Sequence, residues 1–263
     1  MINLELSSKE ILTLHKEYLS AAPFPHIAID NFLEKSFAVR LEDECREANT
    51  NVNVSNDFTQ KGKLALNDWA LMPPLMEKTC GFFNSGRFVT IVEQITGIKG
   101  LIADPHLEGG GLHRTERGGF LKMHTDFNFN KRLNLHRRIN VLYYLNSQYQ
   151  EDWDGALKLS LTPARERSSQ MKAIAPIFNR LVIFNTNDKT SHGHPEPHLF
   201  PSDTPRTSLA VYYYSNKKPI SERGRLNTVT TKYVPTLDGK IFAEDASLKS
   251  RIGYYLRRWT PLG

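Results

Sequence analysis

The sequence predicts an α+β chain whose weight lies in a β core, and three observations lead there. Apolar residues recur at helical spacing through roughly the first hundred positions. Beyond them the period changes to short alternating segments, each bounded by Gly, Pro, Asn or Asp, as in an antiparallel sandwich or barrel. No internal repeat or low-complexity linker divides the 263 residues. One domain is therefore expected over 1–263, with helical support over 1–99, the β core over 100–215 and a C-terminal extension over 216–263.

The elements follow in order. Ser7 and Glu10 form a capping-box pattern ahead of Ile11, Leu14 and Tyr18, which share one helix face. Pro23 and Pro25 stop that helix, and HIAIDNF reads as a short strand. Leu33, Phe37, Leu41 and Cys45 fall four apart and predict a second helix, with Cys45 in its core stripe. Thr50 to Lys63 is polar and reads as a surface loop, long enough to act as a lid. Ser85 caps a third helix carrying Phe88, Val89, Val92 and Ile95, which ends near Gly97. Strands are expected at PHLEGGGLHR, GFLKMHTDF, RRINVLYYLN, GALKLSLT, RLVIFNT and RTSLAVYYYS. TVTTKYVP adds a further strand-like stretch, and a basic helical tail is expected from Asp245 to Trp259.

Composition narrows the function classes. Hydrophobic residues at 40% and charged residues at 24% rule out wholesale disorder. No apolar run approaches a membrane span of about 18 residues, and MINLELSSKE lacks the pattern of a secretory signal. Cys45 and Cys80 show no CxxC spacing, so a reducing cytoplasm is the expected compartment. The net charge of +6 is modest and its basic groups are scattered, so a nucleic-acid partner is not expected. The run Gly109-Gly110-Gly111 has no following lysine or helix start and reads as a rim, not a phosphate cradle.

The chemistry concentrates at His124-Thr125-Asp126. On a strand, residues two apart face the same way, so an imidazole and a carboxylate project together. They can supply two ligands to a divalent metal, and His192 in TSHGHP offers a third. Two histidines and one carboxylate leave adjacent positions open, the facial arrangement of non-haem Fe(II) oxygenases. An HxD tripeptide alone also fits a surface strand whose two side chains only bond each other. His194 shares the parity of His192, so alternation does not separate them. Arg206 and Ser208 share strand parity and can face one cavity, where a guanidinium would bind a carboxylate bidentately. The remaining histidines (His15, His26, His106, His136 and His198) read as surface or core residues.

The segments PFPHIAIDNFLEKSFA, GGGLHRTERGGFLKMHTDFN, RRINVLYYLN, WDGALKLS and RLVIFNTNDKTSHGHPEP with RTSLAVYYYS occur in one order over most of the chain. In that order they resemble the 2-oxoglutarate and Fe(II)-dependent oxygenases, in the prolyl-hydroxylase-like branch. The resemblance implies a double-stranded β-helix (a jelly roll, cupin-like), two facing antiparallel sheets with the metal at one open end. It implies that His124, Asp126 and His192 are the iron ligands and catalytic centre, with His192 favoured over His194 because it follows the loop after RLVIFN. Arg206 then matches the group that pairs with the far carboxylate of 2-oxoglutarate, with Ser208 as its hydroxyl partner. Tyr144 matches a tyrosine bonding that carboxylate, and His113 falls near a position lining the cosubstrate pocket. The segment around His113 is one residue longer than in the family, and PEPHLFPSDTP lengthens the interval before Arg206.

What the resemblance implies is hydroxylation of an unactivated C–H bond with release of succinate and CO2. Fe(II), 2-oxoglutarate and O2 would take part, with ascorbate as a reductant. The substrate would be a peptide or small molecule, a prolyl residue or an amino-acid-like compound. Arg137, Arg138, Trp153 and the loop from Asn128 to His136 are expected to rim its entrance. The rival reading is a cupin-like metal-dependent isomerase or ligand-binding protein, which would use the histidines without needing Arg206, Ser208 and Tyr144 to converge. Oligomeric state leaves no trace in the sequence.

Overall fold

The computed structural model describes residues 6–50, 52–161, 171–218 and 227–233. Helix α1 (Ser8–Ser20) opens as its capping box dictates: the Ser7 hydroxyl accepts from the Glu10 N–H, and the Glu10 carboxylate accepts from the Ser7 N–H at 2.8 Å. Strand β1 (His26–Ile29) follows the prolines. Helix α2 (Lys35–Glu47) begins two residues later than the apolar stripe suggests, because Glu34 caps it and leaves Leu33 outside. Helix α3 (Pro74–Phe83) has no counterpart in the sequence reading, although Pro74 at its first position marks its start. Helix α4 (Gly86–Thr96) is capped by Ser85 and closed by Gly97 at φ +73°.

The strands are β2 (Val52–Ser55), β3 (Gln60–Leu66), β4 (Ile102–Ala103), β5 (Gly111–Thr125), β6 (Phe129–Asn130), β7 (Leu135–Tyr144) and β8 (Leu157–Leu161). They continue with β9 (Lys172–Ile174), β10 (Arg180–Asn185), β11 (Thr190–His194), β12 (Arg206–Ser215) and β13 (Lys232–Tyr233). All pairings among the described residues are antiparallel, in the order β1-β10-β7-β12-β5-β11-β8-β9. The sheet curls until it is nearly a barrel, a jelly roll with helices against one wall.

Strand β5 makes the curl. Its first part, Gly111–Thr115, pairs with β12, and its last part, Leu121–His124, pairs with β11. Between them the chain turns at Gly118, which has φ +73°, and at Gly119. A side chain on Gly119 would put its Cβ 2.4 Å from Thr115 Cγ2 and 2.7 Å from the Glu116 carbonyl, so the bend needs glycine there. The sequence reading divided this strand in two at the glycines. It also took Thr50 to Lys63 for a loop. The structure corrects that: β2 and β3 form a hairpin, and β3 runs along both parts of β5. The segment is polar where β3 borders a cavity, not because it lacks a partner.

Alternation assigns the two faces of the curled wall. Ile139, Val141 and Tyr143 of β7, Leu181 and Ile183 of β10, and Leu209, Val211 and Tyr213 of β12 pack with the helices in one core. The intervening residues, among them Asn140, Leu142, Tyr144, Arg206, Ser208 and Tyr212, take the other face. Of the expected C-terminal elements, β13 falls within TVTTKYVP, while the helix from Asp245 to Trp259 lies outside the described residues. No helix among the described residues is long and apolar enough to cross a membrane. Both cysteines are buried and free, and burial pushes their thiols up.

Candidate metal centre

The inner face of the barrel opens on a cavity of about 270 Å³. His124 comes from the end of β5, Asp126 from just beyond it, and His192 from β11, which lies directly opposite His124. One ligand atom from each of the three falls within 4.8 Å of the others. Asp126 Oδ1 is 3.6 Å from His124 Nε2, and Oδ2 is 3.6 Å from His192 Nε2. His124 Nδ1 lies 2.9 Å from the Lys122 carbonyl, so it carries the proton and donates, leaving the Nε2 lone pair directed at the cluster.

The register separates the two histidines that parity could not. His192 pairs with His124, but His194 pairs with Leu121, so the ladder slips between them. His194 still lines the cavity, beyond the cluster of three ligand atoms, and its ring is 6.1 Å from that of His198.

Electrostatics prepare the three groups for a cation. Burial alone would raise the Asp126 carboxyl, but Arg137, His192 and His124 hold it well below the usual carboxylate range. Burial, only partly opposed by Asp126, pushes His192 down to about 3. Both side chains are thus in the forms that ligate metal at neutral pH. Arg137 Nη2 lies 3.1 Å from Asp126 Oδ2, and Asn140 Nδ2 donates to the same oxygen at 2.9 Å. Arg137 Nε donates to Asn140 Oδ1 at 2.9 Å, and the guanidinium stacks 3.6 Å from the Tyr212 ring centroid. Arg137 was expected at the rim; it is buried beside Asp126 instead. Trp153 is not at the cavity either, packing on Phe200 at 5.3 Å between centroids.

Across the barrel, Ser208 lies directly opposite His113 on one side and Tyr144 on the other, so the three side chains form one row. Arg206, one step along β12, is buried; its Nε donates to the Gly155 carbonyl at 2.7 Å and its Nη2 to the Tyr144 hydroxyl at 3.3 Å. Arg206, Ser208 and His113 line the cavity, while Tyr144 stands behind Arg206 and steadies it. Burial, reinforced by Lys63 and Arg206, pushes His113 well below the ordinary histidine value, so it is neutral. Among the cavity residues that escaped the sequence reading are Gln60, Lys63, Asn140 and Tyr212. Asn140 left a signal, a carboxamide at an inward position of a buried strand.

A family model described as the 2OG-Fe(II) oxygenase superfamily matches residues 110–214. The chain carries a 2OG-Fe(II) oxygenase core. It is similar to a prolyl-4-hydroxylase of Pseudomonas putida, at 16% identity and a TM-score of 0.53 over 78% of this chain and 98% of that one. A Trichoplax adhaerens prolyl hydroxylase, solved with a hypoxia inducible factor oxygen degradation domain peptide fragment, is 18% identical with a TM-score of 0.55, over 80% and 94%. HygX of Streptomyces hygroscopicus, solved with nickel and 2-oxoglutarate, is 13% identical with a TM-score of 0.54, over 86% and 98%. No curated protein sequence matches the chain significantly.

Residues 110–214 thus match the core of a 2-oxoglutarate-dependent dioxygenase, a family with Fe(II) as its metal and 2-oxoglutarate as cosubstrate. The donor set suits that metal: two imidazoles and one carboxylate, lining an open cavity. The dioxygenase also offers a buried guanidinium for a dicarboxylic acid.

Proposed function

We propose that this dioxygenase hydroxylates an unactivated C–H bond of a prolyl residue or an amino-acid-like compound, releasing succinate and CO2. The observation that supports it most is the convergence of His124, Asp126 and His192 within 4.8 Å in a cavity that Arg206 also lines. In this reading His124, Asp126 and His192 hold the iron. Arg206, supported by Tyr144, takes the far carboxylate of 2-oxoglutarate, with Ser208 and His113 beside it. When bound, iron and cosubstrate together supply the activation of dioxygen. The chain's own part is positional. Arg137 and Asn140 fix the Asp126 carboxylate, the Lys122 carbonyl fixes the His124 tautomer, and Arg206 sets the end of the cosubstrate farthest from the metal. The whole chain is read as one catalytic domain. Its two free thiols suit a reducing compartment such as the cytoplasm.

Anaerobic addition of Fe(II) and then 2-oxoglutarate should give a weak visible metal-to-ligand charge-transfer band. No band would favour the cupin-like reading without 2-oxoglutarate. Mass spectrometry with proline-containing peptides and free proline should show a gain of one oxygen atom. Consumption of 2-oxoglutarate with no such gain would remove proline and leave the oxygenase.

A further inference from the structure

The charge of the cavity does not balance. Lys63, Arg137 and Arg206 line it, against a single carboxylate, Asp126. Iron(II) adds two positive charges and 2-oxoglutarate two negative ones, so loading both leaves the same cationic excess. Arg137 is committed to Asp126, and Arg206 is assigned to the cosubstrate. Lys63 is the cation left over. Among the described residues no carboxylate lies within ion-pairing distance of it.

The backbone places Lys63 there by a specific device. Gln60 and Lys63 both line the cavity although they are three residues apart, which regular alternation forbids. The register between β3 and β5 slips between Lys61 and Lys63, at Gly62 with φ +66°, and the slip turns Lys63 inward. Lys63 then lies opposite Thr115, which lies opposite Arg206, so the two cations flank one β5 residue in a single cross-strand row. Burial, together with Arg137 and Arg206, disfavours the Lys63 ammonium, and Asp126 favours it. Lys63 is half-buried, and a partly desolvated cation without a counter-ion is costly, so a ligand that brings the counter-ion recovers that cost.

We propose that the primary substrate carries an anionic group, a carboxylate or a phosphate, which Lys63 binds with Gln60 beside it. The inference rests on the oxygenase reading and sharpens its substrate class. A free amino acid has such a group next to its ring or side chain, whereas a prolyl residue inside a peptide has only amides. Lys63 is a substrate-binding group here, on the side of the row away from the cosubstrate clamp.

The test compares the full chain with Lys63→Met and Lys63→Arg, each loaded anaerobically with Fe(II) and 2-oxoglutarate. Calorimetry then follows paired probes: L-proline against L-prolinamide, N-acetyl-L-proline against its amide, and O-phospho-L-serine against L-serine. In wild type, in at least one pair, the member with the additional carboxylate or phosphate should bind tenfold or more tightly than the member without it. The carboxylate and phosphate pairs tell the two chemistries apart. Lys63→Met should shrink the preference to within twofold, Lys63→Arg should restore part of it, and 2-oxoglutarate affinity should stay within threefold throughout. A wild type that shows no anionic preference in any pair overturns the proposal. So does a Lys63→Met variant that loses tenfold in 2-oxoglutarate affinity, because Lys63 would then belong to the cosubstrate. A wild type that fails to bind 2-oxoglutarate at all fails in the earlier titration, and there the oxygenase reading itself falls.

Discussion

Asn140 and Arg137 share one oxygen of Asp126, and that sharing sets what each is worth. Asn140→Ala should weaken Fe(II) or Ni(II) binding by about 10- to 100-fold, the usual cost of losing a partner that orients a ligand. Metal titration by calorimetry at pH 7 measures it, and an unchanged affinity would mean that Asp126 needs no orienting. His192→Ala should abolish metal binding, whereas His194→Ala should leave it largely intact. The reverse result would hand the third ligand position to His194. At this scale much could be read directly. His124 and Asp126 are two residues apart, so their spacing alone keeps them close even though Asp126 lies just past the end of β5. Arg137 could not be read that way. Counting by twos from Ile139 puts it on the helix face, yet Ile139 pairs with Tyr213 and Arg137 with Tyr214, so Arg138 is an extra residue that resets the parity. Lys63 was hidden by the same kind of slip at Gly62.

Elements show a matching division between what was legible and what was not. Helices with side-chain caps, such as α1 behind Ser7 and α4 behind Ser85, announced themselves; α3, which has no side-chain cap hydrogen bond, did not. Strand β3 was missed because its polar face looks like a loop's and one of its two partners, β5, is distant in sequence. One residue in a connection does an element's share of the assembly. Asn179, buried at φ +57°, accepts from the Leu33 N–H at 2.8 Å and the Tyr143 hydroxyl at 2.7 Å, and donates to the Leu33 carbonyl at 2.8 Å. It joins the chain entering α2 to the sheet. Asn179→Ala leaves those groups without partners and should cost about 2–4 kcal/mol, read by urea unfolding. Gly119→Ala should also destabilise, by about 1–3 kcal/mol, since its Cβ meets the Glu116 and Lys61 carbonyls at 2.7 and 2.8 Å. A stable Gly119→Ala would mean that β5 can bend elsewhere.

The whole molecule responds to acid through histidines that it buries uncharged. His198 is pushed down to about 4 by burial, with Arg206 and Arg117 adding to it, and burial lowers His26 as well. Each binds its proton more readily when unfolded than when folded. Their contribution to stability is therefore complete above the unfolded value of about 6.5 and is lost as pH falls towards the folded value, at most about 1.4 kcal/mol per pH unit for each. The melting temperature of the metal-free protein should fall steadily from pH 7 to pH 5. A flat profile would show that the protonated rings find hydrogen-bond acceptors in the fold. Jelly-roll architecture was legible at this scale because six alternating segments occur in a fixed order, but their spatial order was not, since alternation says nothing about which strand lies beside which.

That spatial order has a consequence in time. The first strand, β1, finds its place only beside β10, with His26 opposite Phe184. His124 must likewise wait for His192, and both precede the arrival of Tyr233 across from His124. A helix can form as soon as its own residues exist, but a ladder joining distant segments must first close the long loops between them. Refolding should accordingly take milliseconds to seconds or longer, and metal capture should lag behind the return of helical signal in stopped-flow measurements. A nascent chain therefore has nowhere to hold iron until most of the barrel has closed around the place where the iron will sit.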